Sequence, residues 1–312
     1  MRITPNPYSW DKINLKLFYG REVLVNEMMD GLKGGHSFAL VGGRRMGKTT
    51  LLRKLESELR GQVESSLAGG VLIVPIYVDM LSFSASIQAR GIYAFIIKRV
   101  EAILKEFRWL KLSKPSRVGF FQQFPGEENR AFKVALGSII EDIRHGWLQV
   151  IVLVDEIEPI IRNDWGQGFF DNWRQLLSNE PELSAHIGAV FAGAKEMAAI
   201  SRDIGSPLAN ILAWKELTLF TQAETAQLVN EPTNYQIAPT VSERIFNQTG
   251  GHPFLIQYLM HFLCDFDLNE SESKLDSAVQ QFLEDHRKQF YDWWEKLSPE
   301  EQIVYAFLAR QQ

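Results

Sequence analysis

The stretch Phe38-Ala-Leu-Val-Gly-Gly-Arg-Arg-Met-Gly-Lys-Thr-Thr50 carries the residue types and spacing of an anion-binding loop that follows a strand. Gly42, Gly47, Lys48 and Thr49 satisfy the pattern G-x-x-x-x-G-K-[ST] in full. Glycines at these positions let the backbone wrap closely around phosphates, with successive N–H groups turned inward. The Lys48 ammonium would reach the β- and γ-phosphates, and the Thr49 hydroxyl would ligate Mg²⁺. Gly43, Arg44, Arg45 and Met46 fill the loop, and Arg44 and Arg45 either lie over the phosphates or face a partner subunit. From Thr50 the run Leu51-Leu52-Arg-Lys-Leu55 reads as helix, so the positive end of its dipole also faces the phosphates.

Such a loop needs an acid on the metal side. Val150-Ile-Val-Leu-Val154 runs directly into Asp155-Glu156. Asp155 stands where an apolar strand leaves the sheet, so its carboxylate can hold Mg²⁺ through water. Glu156 can serve as general base for a water that attacks the γ-phosphate. An acidic pair after a strand is often only a solvated turn, and it gains meaning from the loop at Lys48. The expected chemistry is Mg-dependent hydrolysis, with Lys48 and Glu156 as catalytic groups and Thr49 and Asp155 on the metal.

The elements that must position these groups can be read along the chain. Val71-Leu-Ile-Val-Pro-Ile-Tyr-Val78 is a continuous apolar run of the kind covered on both faces in a parallel sheet, and Pro75 argues for an edge or a bulge. Val150–Val154 and Ile187-Gly-Ala-Val-Phe-Ala192 read as buried strands, and Glu216-Leu-Thr-Leu-Phe220 as the fifth. Amphipathic helices are expected over Ser86–Phe107 and Glu128–His145, with 108–128 irregular between them. Strands alternating with helices imply an α/β fold with a mainly parallel sheet. After Phe220 only helical signals remain. Thr221-Gln-Ala-Glu224 is a capping box, Gly250-Gly251 a stop and Pro253 a first-turn residue. The reading places an α/β domain at 1–220, a helical domain at 221–290, and at 291–312 the start of a winged-helix or further C-terminal module. Ser298-Pro-Glu-Glu301 caps that last helix, whose apolar residues Ile303, Val304, Phe307 and Leu308 leave a face that a natural continuation of the chain would cover.

Composition narrows the partners. The chain has 312 residues, 46% hydrophobic and 23% charged, as expected for a soluble globular protein with a sizeable core. The net charge of -5 supplies no general basic field for nucleic acid, which is therefore not the favoured partner. The single Cys264 suits a reducing cytoplasm and reads as an inert core thiol. No signal peptide or membrane-spanning run is apparent, so a cytoplasmic location away from membranes is expected. Trp165, Trp173, Trp293 and Trp294 read as core or interface markers.

Taken together, the loop at 42–49, the strand ending in Asp155-Glu156 and the helical extension resemble the P-loop ATPases of the AAA+/STAND group, including its archaeal-ATPase-like members. Phe18-Tyr-Gly-Arg-Glu22 is similar to the group's F-x-G-R-E segment, which implies that Tyr19, Gly20 and Arg21 lie against adenine and ribose. Gly250-Gly-His-Pro253 resembles the G-x-P motif of STAND lids, which implies that His252 and Pro253 approach the nucleotide from the lid side. Ser206-Pro-Leu208 is also familiar from the group. The resemblance implies a five-stranded AAA+ (ASCE-type) sheet sandwiched by helices, with a C-terminal all-helical lid. It further implies ATP or ADP with Mg²⁺ as ligands, slow ATP hydrolysis, and a homo-oligomer in the ATP state.

The sequence departs from the group at two places. Phe191-Ala-Gly-Ala-Lys-Glu196 lacks the Ser, Thr, Asn or Arg that often senses the γ-phosphate, leaving Lys195 as either a substitute or a surface lysine. The 107 positions from Lys48 to Asp155 exceed the spacing of compact members, which points to an insertion within 108–145. Arg130, Arg162 and Arg202 are the candidates for a finger supplied to a neighbouring subunit. The leading expectation is a nucleotide-controlled switch. The alternatives are an initiator- or transposition-helper-like ATPase that grips DNA through the C-terminal module, and a scaffold that keeps ADP as a structural ligand.

Overall fold

Apolar, β-branched runs that are covered on both faces pair side by side in parallel. A computed structural model of the chain, describing residues 5–66, 70–107, 110, 112–113, 116–143, 147–194, 196–197, 209–295 and 297–309, contains five such strands. They are β1 (Ser37–Val41), β2 (Val71–Asp79), β3 (Trp147–Asp155), β4 (Ile187–Gly193) and β5 (Leu212–Glu216). All neighbours pair in parallel, in the order β2-β3-β4-β1-β5. β4 is buried throughout and β3 everywhere except Trp147. β2 lies at one edge, where the missing N–H of Pro75 costs no ladder bond.

The fifth strand corrects the sequence reading. Strand structure runs over Leu212–Glu216 and ends where it was expected to begin. The apolar residues that follow have other tasks. Leu217 N donates to Val41 O at 2.7 Å, Leu217 and Phe220 are buried, and Leu219 is exposed. As an edge strand, β5 alternates weakly, and an apolar run beside it is a stronger local signal than the strand itself.

The helices flanking the sheet are α1 (Glu22–Lys33), α2 (Lys48–Ser66), α3 (Ala89–Glu106), α4 (Glu128–Asp142) and α5 (Gly166–Ser178). α3 begins three residues later than expected, because Ile87 N and Gly91 N close turns onto Ser84 O and Gln88 O. The expected extension of α4 to His145 falls partly outside the described residues, and Ile143 is already its C-cap. Leu51, Leu52, Leu55 and Leu59 bury one face of α2 against the sheet. An aromatic cluster of Tyr93, Phe132, Phe169, Trp173 and Phe191 fills another part of the core, with Tyr93 and Phe132 stacked at 4.7 Å.

Within the stretch expected to be irregular, described residues from Ser113 to Gln123 are tied around the buried Arg117 cation. Arg117 is fully buried and pairs with Asp142 and, at 3.7 Å, with Glu101. Arg117 N also donates to Glu101 Oε1 at 2.6 Å, and Ser113 N to Asp142 Oδ2 at 2.7 Å. These bonds tie a 3-10 turn at Arg117–Gly119 and a one-turn helix at Phe120–Gln123 to α3 and α4. A buried charge keeps its ion pairs because leaving it uncompensated is far costlier.

The chain divides into two compact units, one of Phe18–Leu219 and one of the residues up to Leu17 together with those from Phe220 onward. The second unit is helical: α6 (Gln222–Asn230), α7 (Pro239–Thr249), α8 (Pro253–Cys264), α9 (Ser271–Asp285), α10 (Arg287–Trp294) and α11 (Pro299–Ala309). Residues 5–17, read from sequence with the α/β domain, group with these helices instead. Tyr8 is buried there, its hydroxyl donating to Leu228 O or Val229 O at 2.9 and 3.0 Å, and its carbonyl meets His261 Nδ1 at 2.7 Å. Trp10 packs among Phe254, Tyr258 and His286. The capping box at Thr221 and Glu224 is formed, and Ser298 and Glu301 cap α11 in the same reciprocal way. Ile303, Val304, Tyr305 and Phe307 on α11 are exposed. Cys264 is buried, and burial pushes its thiol up to about 12, the inert state expected of it. Among the described residues no helix is long and apolar enough to cross a membrane.

Two adjacent glycines separate α7 from α8. Gly250 (φ +57°) ends α7 in the left-handed conformation and has open space where a Cβ would stand. Gly251 (φ +75°) accepts from Phe220 N at 2.8 Å, and a Cβ there would collide with the Phe220 backbone carbonyl. Gly250→Ala is therefore expected to cost about 1 kcal/mol and Gly251→Ala at least about 2 kcal/mol. Urea denaturation of both variants checks this, and equal losses would contradict the packing of Gly251 on Phe220.

Candidate active site

Strand order brings the two motif-bearing loops together. β4 lies between β1 and β3, so the loops leaving β1 and β3 flank the end of β4, the kind of crevice where open parallel sheets bind ligands. Both loops are anchored to that end. Gly42 N donates to Gly193 O at 3.3 Å, and Ile157 N to Ala192 O at 3.0 Å. A Cβ on Gly193 would stand 2.6 Å from Ile157 Cγ2 and 2.7 Å from Met197 Cβ, so only glycine fits between them.

Gly42–Thr49 forms a tight loop into the first turn of α2. Gly47 takes φ +88° and Arg45 φ +59°, and Met46 N closes onto Gly43 O at 3.4 Å. The Lys48 side chain is buried, its Nζ donating to Gly42 O at 2.9 Å and Gly43 O at 3.1 Å. The ammonium thus sits inside the loop's curve, where an anion would be drawn to it. Gly43, Arg44 and Arg45 are exposed, Met46 is buried, and Thr49 and Thr50 are half-buried at the start of α2, whose first-turn N–H groups have no helical acceptor.

Arg21 is tied to the loop itself. Its guanidinium donates to Met46 O, inside the loop, and to Thr218 O at 3.2 Å. A Cβ at Gly47 would stand 2.8 Å from its Nη1. Arg21 therefore braces the loop through the Met46 carbonyl, and Gly20 beside Tyr19 takes φ +74°.

On the acidic side, Asp155 is buried at the end of β3. Its Oδ2 accepts from the Tyr77 hydroxyl at 2.8 Å and its Oδ1 from Glu156 N at 3.1 Å. Burial and the neighbouring Asp155 carboxylate push the Tyr77 phenol well above its usual range, so it remains a donor. Glu156 adopts φ +54°, a left-handed conformation that costs a side chain about 1–2 kcal/mol and that recurs at functional sites. Partial burial raises the Glu156 carboxyl, Lys48 and Arg44 draw it down, and Glu158 and Asp155 raise it further. Those four charges therefore lie around it. Glu158, which the sequence reading passed over, is buried; Oε1 accepts from Ala194 N, and Oε2 has no hydrogen-bond partner among the described residues.

Lys48, Asp155 and Glu156 thus meet at one end of the sheet, with Thr49 on the adjoining helix turn. His252 and Pro253 belong to the helical unit, where His252 is the N-cap of α8 and Pro253 its first residue. Arg162 is exposed and paired with Glu196. Arg130 is exposed, paired with Glu127 at 3.1 Å and set over the Phe124 ring. Lys195, Arg202 and the Ser206–Leu208 segment lie outside the described residues. Trp173 is core, Trp165 is packed against the core and Trp294 is exposed. Among the described residues no cluster of three or more His, Cys, Asp or Glu could hold a metal alone. One hydroxyl and one carboxylate suit Mg²⁺, which keeps several waters and takes its remaining ligands from phosphate oxygens.

No family model and no curated protein matches the sequence. Solved structures do share the architecture. A Walker-type ATPase of Pyrococcus abyssi superposes with a TM-score of 0.59 at 15% identity, over 91% of this chain and 79% of that one. The ORC2 protein of Aeropyrum pernix, in ADPNP–ADP complexes, gives 0.60 at 13% identity, over 94% and 74%. The ORC1 protein of the same organism, in complex with DNA, gives 0.55 at 12% identity, over 90% and 69%. By strand order, by the position of its loops and by these likenesses, the chain has the fold of AAA+ P-loop ATPases, a parallel five-stranded sheet with flanking helices and a helical C-terminal region.

Proposed function

We propose that this protein binds ATP and ADP and hydrolyses ATP slowly with Mg²⁺, as a nucleotide-controlled switch of the STAND type. The observation that carries the reading is the convergence of Lys48, Asp155 and Glu156 on the end of β4. In this reading the loop amides and Lys48 hold the β- and γ-phosphates, while Gly43, Arg44 and Arg45 lie on the open side. Glu156 takes a proton from water as the water oxygen bonds to the γ-phosphorus; the bond to the bridging oxygen breaks and its electron pair leaves with ADP. Mg²⁺, held by Thr49 and Asp155, would neutralise charge developing on the phosphates.

The helical unit supplies the switch in this proposal. The Gly250–Pro253 turn is strapped to Phe220 within that unit; by the resemblance to STAND lids, His252 and Pro253 would meet the nucleotide, and ADP and ATP would favour different states of the protein. Such a shift requires each nucleotide to bind the two states with different affinity. ATP-bound copies would associate. Denaturing the purified protein and identifying the released nucleotide tests the reading: stoichiometric ADP supports a closed switch, whereas an empty site that turns ATP over rapidly sinks it. A second reading, an initiator-like ATPase, is favoured by the ORC1 protein solved with DNA. DNA binding that weakens steeply with salt would support it, and absent or salt-insensitive binding would remove it.

A further inference from the structure

Among the described residues, Tyr77 is the polar side chain outside the motif segments that hydrogen-bonds the metal-side carboxylate. In the β2–β3 pairing Tyr77 stands opposite Leu153 and Asp79 opposite Asp155, so the phenol reaches forward along the strands to Asp155 Oδ2 at 2.8 Å. The ring is itself held from above. The Arg53 guanidinium lies 3.4 Å from its centroid, and Arg53 Nη1 donates to Glu56 Oε2 at 2.9 Å. Arg53 belongs to α2, the helix that begins at Lys48. A continuous set of contacts therefore runs from the phosphate-loop helix through Arg53 and Tyr77 to Asp155.

We infer that Tyr77 is a positioning residue for a divalent cation: its hydroxyl holds the Asp155 carboxylate in the orientation that receives Mg²⁺ beside bound nucleotide. Arg53 holds the ring in register with the loop that carries the phosphates. This rests on the nucleotide-site reading above. Asp155 is buried and, among the described residues, its Oδ1 is held by the neighbouring backbone amide alone, so without the phenol the carboxylate can swing about its terminal torsion. Partners that orient a metal-binding side chain are typically worth 10–100-fold in metal affinity. A tyrosine that merely fills the sheet edge would leave the cation requirement untouched.

The test uses the full chain and a fluorescent, slowly hydrolysed ATP analogue, measuring its affinity in EDTA and then the Mg²⁺ concentration that half-saturates the metal-dependent signal. Tyr77→Phe keeps the ring and its stack on Arg53 and removes only the hydroxyl. It is expected to leave the EDTA affinity unchanged and to raise the Mg²⁺ midpoint about 10-fold. Arg53→Gln, which loosens the ring without touching Asp155, is expected to raise the midpoint less, in the same direction. An unchanged or lowered midpoint in Tyr77→Phe overturns the positioning role, as does a shift in EDTA affinity equal to the shift with Mg²⁺. If wild type binds the analogue with no Mg²⁺ dependence, the metal part of the proposed function falls, and the role of Tyr77 with it.

Discussion

Lys48→Ala is expected to weaken nucleotide binding by at least about 100-fold while leaving the fold intact, since charge-assisted contacts to two phosphates are worth roughly 1.5–3 kcal/mol each. Isothermal titration with ADP and with an ATP analogue measures the loss, and circular dichroism checks the fold. The structure adds a second, smaller effect. Lys48 Nζ is the donor to the Gly42 and Gly43 carbonyls, so its removal leaves two acceptors at the root of the loop without it. About 1–2 kcal/mol of stability should go with it, a fall in Tm of a few degrees. Arg21 still braces the loop through Met46 O, so the loss should remain local. Unchanged affinity in a folded variant would contradict the phosphate-loop assignment outright.

Glu156→Gln is expected to keep nucleotide affinity and to lower turnover by about 10²–10⁴-fold, the range for losing a general base. The amide keeps the side chain's shape but cannot take the proton from the attacking water. The variant should therefore trap ATP, which single-turnover assays with labelled ATP would detect. A scaffold that never hydrolyses would be indifferent to the change, so wild type and variant with equal ATP lifetimes would remove the catalytic role. The same substitution probes the electrostatics in the nucleotide- and metal-free protein. Burial first, then Glu158 and Asp155, raise the Glu156 carboxyl above its ordinary 4.5, against the pull of Lys48 and Arg44. Folding thus favours the protonated form relative to the unfolded chain. This group's destabilisation is absent below its unfolded value and sets in as pH rises through the raised one. Glu156→Gln should match wild type in Tm near about pH 4 and exceed it at about pH 7. A variant that is no more stable at neutral pH would show that the strained turn, and not the buried charge, dominates there.

Much of this architecture is legible locally. Buried parallel strands announce themselves as continuous apolar runs, and the four at Phe38, Val71, Val150 and Ile187 lie where their composition placed them. Pro75 pointed to an edge or a bulge, and β2 is an edge. The capping box at Thr221, the left-handed Gly250 and the first-turn Pro253 are likewise set by the residue types themselves. The phosphate-loop pattern was readable because each position answers to a backbone or charge requirement within eight consecutive residues.

The inventory is legible in the chain alone: a phosphate-loop pattern, an acidic pair at a strand end, an alternating α/β body and a helical remainder. How these parts meet is set by the tertiary fold. It moved β5 to Leu212–Glu216, because an edge strand gets its register from pairing with β1 and not from its own weak alternation. It turned Arg21 onto Met46 O and Thr218 O, joined Tyr77 to Asp155 across 78 positions, and folded Tyr8 onto Leu228 across 220. It left Glu158 buried between the acidic turn and the end of β4. None of these contacts has a period or a motif in the chain, because each joins residues that become neighbours only when strand order and burial bring distant segments together.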